Sequence, residues 1–225
     1  MTNTRHHPGH DRRFAVGVLQ FALLCCVSDA EVIDRIAATI GNRPIMQSQL
    51  LEELRVTAFL NGEKPDLSPA NRRRTAMRMV EQSLFRREME FAHFAEPEGA
   101  QIEEALKAVK GRFGGAAEFE RELKAYGIGA GALGPALERQ MGLLRFIELR
   151  FRPQVQVAET EARKYYETVV VPEYARKRLP PPPFEEARGQ CEEALIQQLV
   201  DQRVEAWLEE VKGRTRIRYA EEAFQ

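Results

Sequence analysis

Two short stretches with strand character stand at opposite ends of a chain whose middle reads as helix. Near the start, Val32, Ile33, Ile36 and Ile40 are β-branched and Gly41-Asn42-Arg43 carries turn chemistry. That predicts a strand over residues 32–40 and a short return strand at 44–46. Near the end, Ile217 and Tyr219 alternate with arginines in TRIRYA, a period of two that predicts a strand over 215–220. A lone strand leaves its backbone hydrogen bonds unmade and is not stable in water. The two ends are therefore expected to share one small sheet, and a long helix must carry the chain back to its beginning. The expected fold class is mainly α: an irregular multi-helix domain with a small β-sheet pairing N- and C-terminal strands.

The helices follow from period and punctuation. Ser48 is expected to cap a helix carrying Leu50, Leu51, Leu54 and Phe59, ended by Asn61-Gly62. Ser68 and Pro69 suit the N-cap and first residue of the next helix. There Met77, Val80, Leu84 and Phe91 fall on one face, with Phe85 and Met89 in an adjacent lane. So broad an apolar stripe predicts a central helix. Further helices are expected over 98–112, over Ala116–Tyr126, and within GAGALGPALERQMGLLRFIELRF, where Pro135 lies in the first turn or bends the helix and Leu137, Met141, Leu144 and Ile147 fall at helical spacing before Pro153 ends it. An extended piece at 155–157 leads into a helix from Glu159 that carries Tyr165 and Tyr166. After four prolines, residues 184–211 read as a long helix with one lane of Leu195 and Leu199 and another of Ile196, Val200, Val204, Trp207 and Val211.

Residues 1–30 have a different character. Arg12 and Arg13 precede the uncharged run FAVGVLQFALLCCV, and Ser28-Asp29-Ala30 puts small residues where a signal peptidase needs them. This predicts a secretory signal peptide cleaved after Ala30, and hence export. The alternative is an uncleaved membrane anchor, for which the run is short of the about 20 apolar residues that span a bilayer. A lipoprotein needs small residues before its cysteine, and Leu23-Leu24 before Cys25-Cys26 are not small. After cleavage Cys191 is the single cysteine, so an internal disulfide is excluded. His6, His7 and His10 leave with the leader, and His93 alone cannot form a catalytic pair or a histidine metal site.

Charge excludes other classes. The formal net charge is −1, and Arg72, Arg73, Arg74, Arg78, Arg86 and Arg87 are interleaved with Glu81, Glu88 and Glu90. That pattern is a solvated helix face rather than a nucleic-acid stripe, so no nucleic-acid partner is expected. Gly129-Ala130-Gly131 lacks the preceding strand of a phosphate-binding loop, so no nucleotide or other cofactor is expected. Glu103-Glu104 and Glu185-Glu186 read as solvent-facing, and Cys191 as packed rather than reactive.

The order of these segments resembles the SurA family of periplasmic chaperones and the related PrsA and PpiD proteins. VIDRIAATIGNRPIMQSQL is similar to the family's opening strand, turn and helix through Ile33-Asp34, Ile36, Ala37-Ala38, Ile40, Ile45, Ser48 and Leu50. MRMVEQSLFRREME, EFERELKAYGI, ETEARKYYE and the stretch from Pro183 to Ile217 resemble later family segments in the same order. The resemblance covers nearly all of residues 31–225 and implies a SurA N-terminal-like chaperone domain over that span. It implies a periplasmic, ATP-independent holdase for unfolded exported or outer-membrane proteins. Its partners would be extended client polypeptides, with no integral membrane segment after cleavage; a homodimer is left open.

Family members usually carry a parvulin-type prolyl isomerase domain of roughly a hundred residues before the C-terminal helix. Here the space between Tyr166 and Phe184 is too short for one, and residues 179–184 form a proline-rich junction in its place. No enzyme activity is therefore expected. The alternatives are a prolyl isomerase, as the family label suggests, and an adaptor with one specific partner. The expected client contacts are Met77, Leu84, Phe85, Met89, Tyr165 and Tyr166, which combine adaptable and aromatic side chains. For any single Met, and for Tyr165 and Tyr166, plain core packing is the favoured reading of the residue by itself.

Overall fold

The computed structural model describes residues 34–95 and 97–225, and residues 34–225 form one compact unit. Residues 1–30, on which the expected signal peptide and cleavage site fall, and Val32 and Ile33 of the expected first strand lie outside the described residues.

The chain ends do meet in one sheet. Strands β1 (Ile36–Ile40), β2 (Arg43–Met46) and β3 (Ile217–Tyr219) lie in the order β2-β1-β3, both pairs antiparallel. Ile40 pairs with Arg43 across the turn and with Ile217 on the other side. Gly41, at φ 58°, supplies the left-handed conformation that a two-residue hairpin turn requires, and its N–H bonds to the Arg216 carbonyl. The first strand is shorter than its β-branched pattern suggested. Asp34 is spent differently: its carboxylate accepts from the backbone N–H of Ser48 at 3.1 Å and from the Ser48 hydroxyl.

That contact corrects the expected role of Ser48. Helix α1 (Gln47–Asn61) begins before Ser48, with Met46 at the cap position, and the Gln49 side chain accepts the free Met46 N–H at 2.9 Å. The Ser48 hydroxyl is thereby free to pin the start of the chain to α1. Gly62 closes α1 in a left-handed conformation, as expected.

Helix α2 (Pro69–Phe91) starts as predicted, with the Ser68 hydroxyl accepting from the Asn71 N–H. It runs through the middle of the fold. Val80 and Leu84 pack under Ala38, Ile40 and Ile45 of the sheet, together with Val211. Met77 and Phe91, placed on the same face by period, are exposed at 45% and 83%. The reason at Phe91 is the helix end. His93 takes φ 48° and the Phe94 N–H returns to the Met89 carbonyl, so Phe94 packs against Phe146 and Phe91 points away. A hydrophobe placed after a left-handed residue is the usual partner of such a stop.

Helices α3 (Gly99–Lys110), α4 (Ala116–Tyr126) and the first turns of α5 (Leu133–Phe151) close a second core around Phe59 of α1. The Phe59 ring stacks on Phe113 at 5.5 Å and meets Phe119 and Tyr126 edge-on. Pro135 lies in the first turn of α5, where its missing N–H has no helical partner. Leu144 and Leu149 of α5 are exposed, so the buried face of that helix runs through Leu133, Leu137 and Phe146.

After a 3-10 turn at Arg152–Gln154, helix α6 (Glu159–Tyr165), a π-helical turn (Tyr166–Val170) and α7 (Val171–Arg176) follow one another without a break. Pro172 lies in the first turn of α7 and has no N–H to donate to the preceding turn. The last helix, α8 (Phe184–Gly213), returns the chain to the sheet, and the turn Glu221–Phe224 buries Phe224 beside Ala37 and Leu50. Among the described residues no helix is long and apolar enough to cross a membrane.

Candidate functional site

A groove is walled by β2, α1, α2 and the start of α5. One hollow of about 530 Å³ has a floor of Pro44, Ile45, Val56, Met79 and Ala132. It shares Gln82, Arg86, Pro135 and Arg139 with a second hollow of about 350 Å³, floored by Phe85, Met89 and Leu143. Gln82 and Arg139 also line a third hollow of about 190 Å³ toward Leu60 and Arg78. The three meet at Gln82, so the site is one branched trough rather than separate pits. Hollows joined through shared lining suit an extended chain more than a compact small molecule.

The trough exists because of how four elements cross. The hairpin sets β2 beside α2, and α1 leaves from the end of β2. Helix α5 packs against α2, so that Phe85, Met89, Pro135 and Leu143 face one hollow. Two ion pairs tie these walls: Arg43 to Glu90 at 3.4 Å, linking β2 to α2, and Glu53 to Arg139 at 3.1 Å, linking α1 to α5. Arg86, Glu52 and Glu138 have no ion-pair partner among the described residues, so both signs of charge stay available on the rim. The floor rests on the main core, because Phe85 contacts Phe146 at 6.4 Å and Trp207 at 4.6 Å between centroids.

The six expected contact residues do not converge. Phe85 and Met89 line the second hollow. Leu84, 1% exposed, belongs to the core between α2 and the sheet. Met77 is exposed but lies outside the trough lining. Tyr165 and Tyr166 belong to a separate cluster with Ala162, Phe184, Ala187 and Cys191, under the proline run. The trough residues missed were Ile45, Val56, Met79, Gln82, Pro135, Arg139 and Leu143. A trace was present in the sequence: Met79, Gln82, Arg86 and Glu90 recur at three- and four-residue intervals. Mixed polarity hid that face from a search for apolar stripes.

The lining has no histidine or cysteine, and Thr57 and Ser83 are its hydroxyl side chains. Among the described residues no three His, Cys, Asp or Glu side chains gather as a metal site. Cys191 is buried, as expected, and burial raises its thiol pKa. No protein-family model and no curated protein matches the chain.

Proposed function

We propose that the protein is a SurA-like, ATP-independent chaperone that holds unfolded exported polypeptides, with the trough between α1, α2 and α5 as its client site. One observation carries the reading: two apolar-floored hollows run together through shared lining, with unpaired charges of both signs on the rim. The floor would take the apolar side chains of an extended client without demanding one shape. Met79 and Met89 add adaptability, since an unbranched thioether repacks at small cost. The rim would keep the complex hydrated and reversible.

The periplasm is the proposed compartment, and the leader the proposed export signal. The residues between Tyr166 and Phe184 are taken up by a helical turn, α7 and the proline run. That supports a role in holding clients rather than isomerising them.

The test is aggregation of a urea-denatured outer-membrane barrel protein, followed by light scattering after dilution without ATP. The protein should suppress scattering near stoichiometric ratio. Gln82→Trp, which plugs the junction of the hollows from a partly exposed position, should abolish suppression while leaving far-UV circular dichroism unchanged. Suppression that survives the plug would remove the trough from the mechanism.

A further inference from the structure

We propose that residues 179–183, led by Arg176 and Arg178, form a docking ridge for a partner protein domain with an aromatic-lined groove and an acidic rim. This goes beyond the holding of clients and does not depend on the trough.

The conformation of the ridge follows from its sequence. Leu179, Pro180, Pro181 and Pro182 each precede a proline, which drives them out of the helical region into extended backbone. Each proline ring also locks its own φ. Pro183 has φ −54° and ψ 148°, within the polyproline II range. With about three residues per turn in that conformation, Pro180 and Pro183 share one edge, and Leu179 and Pro182 another.

The surroundings hold one edge and leave the rest open. The Tyr166 hydroxyl donates to the Pro182 carbonyl at 2.6 Å, and Pro182 is half-buried. Tyr166 meets buried Phe184 edge-on at 5.6 Å, and the Arg163 guanidinium lies 4.1 Å from the centre of the Phe184 ring. Pro180, Pro181, Pro183 and Leu179 remain exposed. The ridge is thus bolted down at Pro182 while displaying its P-x-x-P edge to solvent.

The approach to the ridge is shaped as well. Arg178 adopts φ 56°, left-handed for a residue with a side chain, and the Leu179 N–H closes on the Tyr174 carbonyl at 3.0 Å. Lys177 is occupied by Glu173 at 2.6 Å, whereas Arg176 and Arg178 have no ion-pair partner among the described residues. A spacer needs stiffness alone. Exposed Leu179 and two free guanidiniums directly before P-x-x-P add recognition features that stiffness does not require. Preformed polyproline segments dock in aromatic-lined grooves because little entropy remains to be lost, and the leading cations call for carboxylates on the rim.

The probe is an isolated SH3 domain of the class that takes a basic residue followed by P-x-x-P, labelled with nitrogen-15 and titrated with the purified protein at ~0.15 M salt. Shifts should be confined to its aromatic groove and acidic rim, with a Kd on the order of 100 μM or tighter. Pro180→Ala with Pro183→Ala, and separately Arg176→Gln with Arg178→Gly, should each weaken binding at least tenfold. Glycine is at ease at φ 56°, so the second variant removes charge without forcing the turn. Both variants should keep the far-UV spectrum and the client-holding activity. Absence of shifts at millimolar protein would overturn the proposal, as would full affinity in the double-proline variant. Binding by a free peptide of residues 174–186 but not by the protein would equally overturn it, because the ridge would then not be displayed.

Discussion

Phe85 of α2 and Trp207 of α8 stack with ring centroids 4.6 Å apart and planes tilted by 32°. Phe85 lines the second hollow of the trough, and Trp207 is the single tryptophan of the chain. The candidate client floor and the main core are therefore joined through Phe85, which also meets Phe146.

Phe85→Ala should cost about 3 kcal/mol of stability, the low end for deleting a buried aromatic, because one side of the ring borders the open trough. Urea unfolding followed by Trp207 emission measures it. The emission of the folded variant should also shift red, as the stacked ring is replaced by space that water can reach. A cost under about 1 kcal/mol would mean that Phe85 does not support the core.

Lys212 near the end of α8 donates to Glu81 of α2 at 2.9 Å and to Glu209 at 3.2 Å. These carboxylates, Glu81 first, hold the Lys212 pKa above its usual value, and burial raises that of the Tyr219 hydroxyl. Both groups have folded pKa values above their unfolded ones. Their contribution is therefore complete below about pH 10, where the unfolded groups begin to titrate, and is lost as pH rises through the folded values. Melting temperature should fall on the alkaline side, and Glu81→Gln should flatten part of that fall. The pair is partly exposed, so its loss at neutral pH should cost less than about 1 kcal/mol. An alkaline profile identical in wild type and Glu81→Gln would exclude the pair as a source.

Cys191 is 1% exposed, and burial raises its pKa. In a chain beginning at Asp34, where it is the only cysteine, an aromatic disulfide reagent should modify it only as fast as the protein opens. Urea should accelerate the reaction in step with the loss of structure. Modification in native buffer at the rate of an unfolded peptide would place the thiol on the surface.

Two glycines should respond with opposite signs. Gly62 sits at φ 71° with no atom within 4 Å of an added Cβ, so Gly62→Ala should destabilise by about 1 kcal/mol through backbone strain alone. Gly189, within α8, has the same free space but no positive φ. Gly189→Ala should stabilise by about 0.5–1 kcal/mol, because the unfolded chain loses freedom and the helix gains a better former. Thermal denaturation of both variants checks the pair; equal signs would refute the backbone argument.

What the sequence alone determined is local and periodic. The cap Ser68-Pro69, the limits of Ala116–Tyr126, the stop at Gly62 and the long returning helix were all legible, because each depends on neighbours within a few residues. The sheet between the chain ends was legible too, since an unpaired strand has nowhere else to make its hydrogen bonds. Ser48 was misread because its partner, Asp34, is brought near only by the hairpin. Phe91 was misread because helical period cannot tell where a helix outruns the layer that covers it. The trough was hidden for the same reason. Met79, Gln82, Pro135 and Arg139 are distant in sequence or mixed in polarity, and only the crossing of α1, α2 and α5 turns them into one lining. Burial and concavity are sums over several elements, so the tertiary structure decided them, while the sequence decided those limits that depend on a few neighbouring residues.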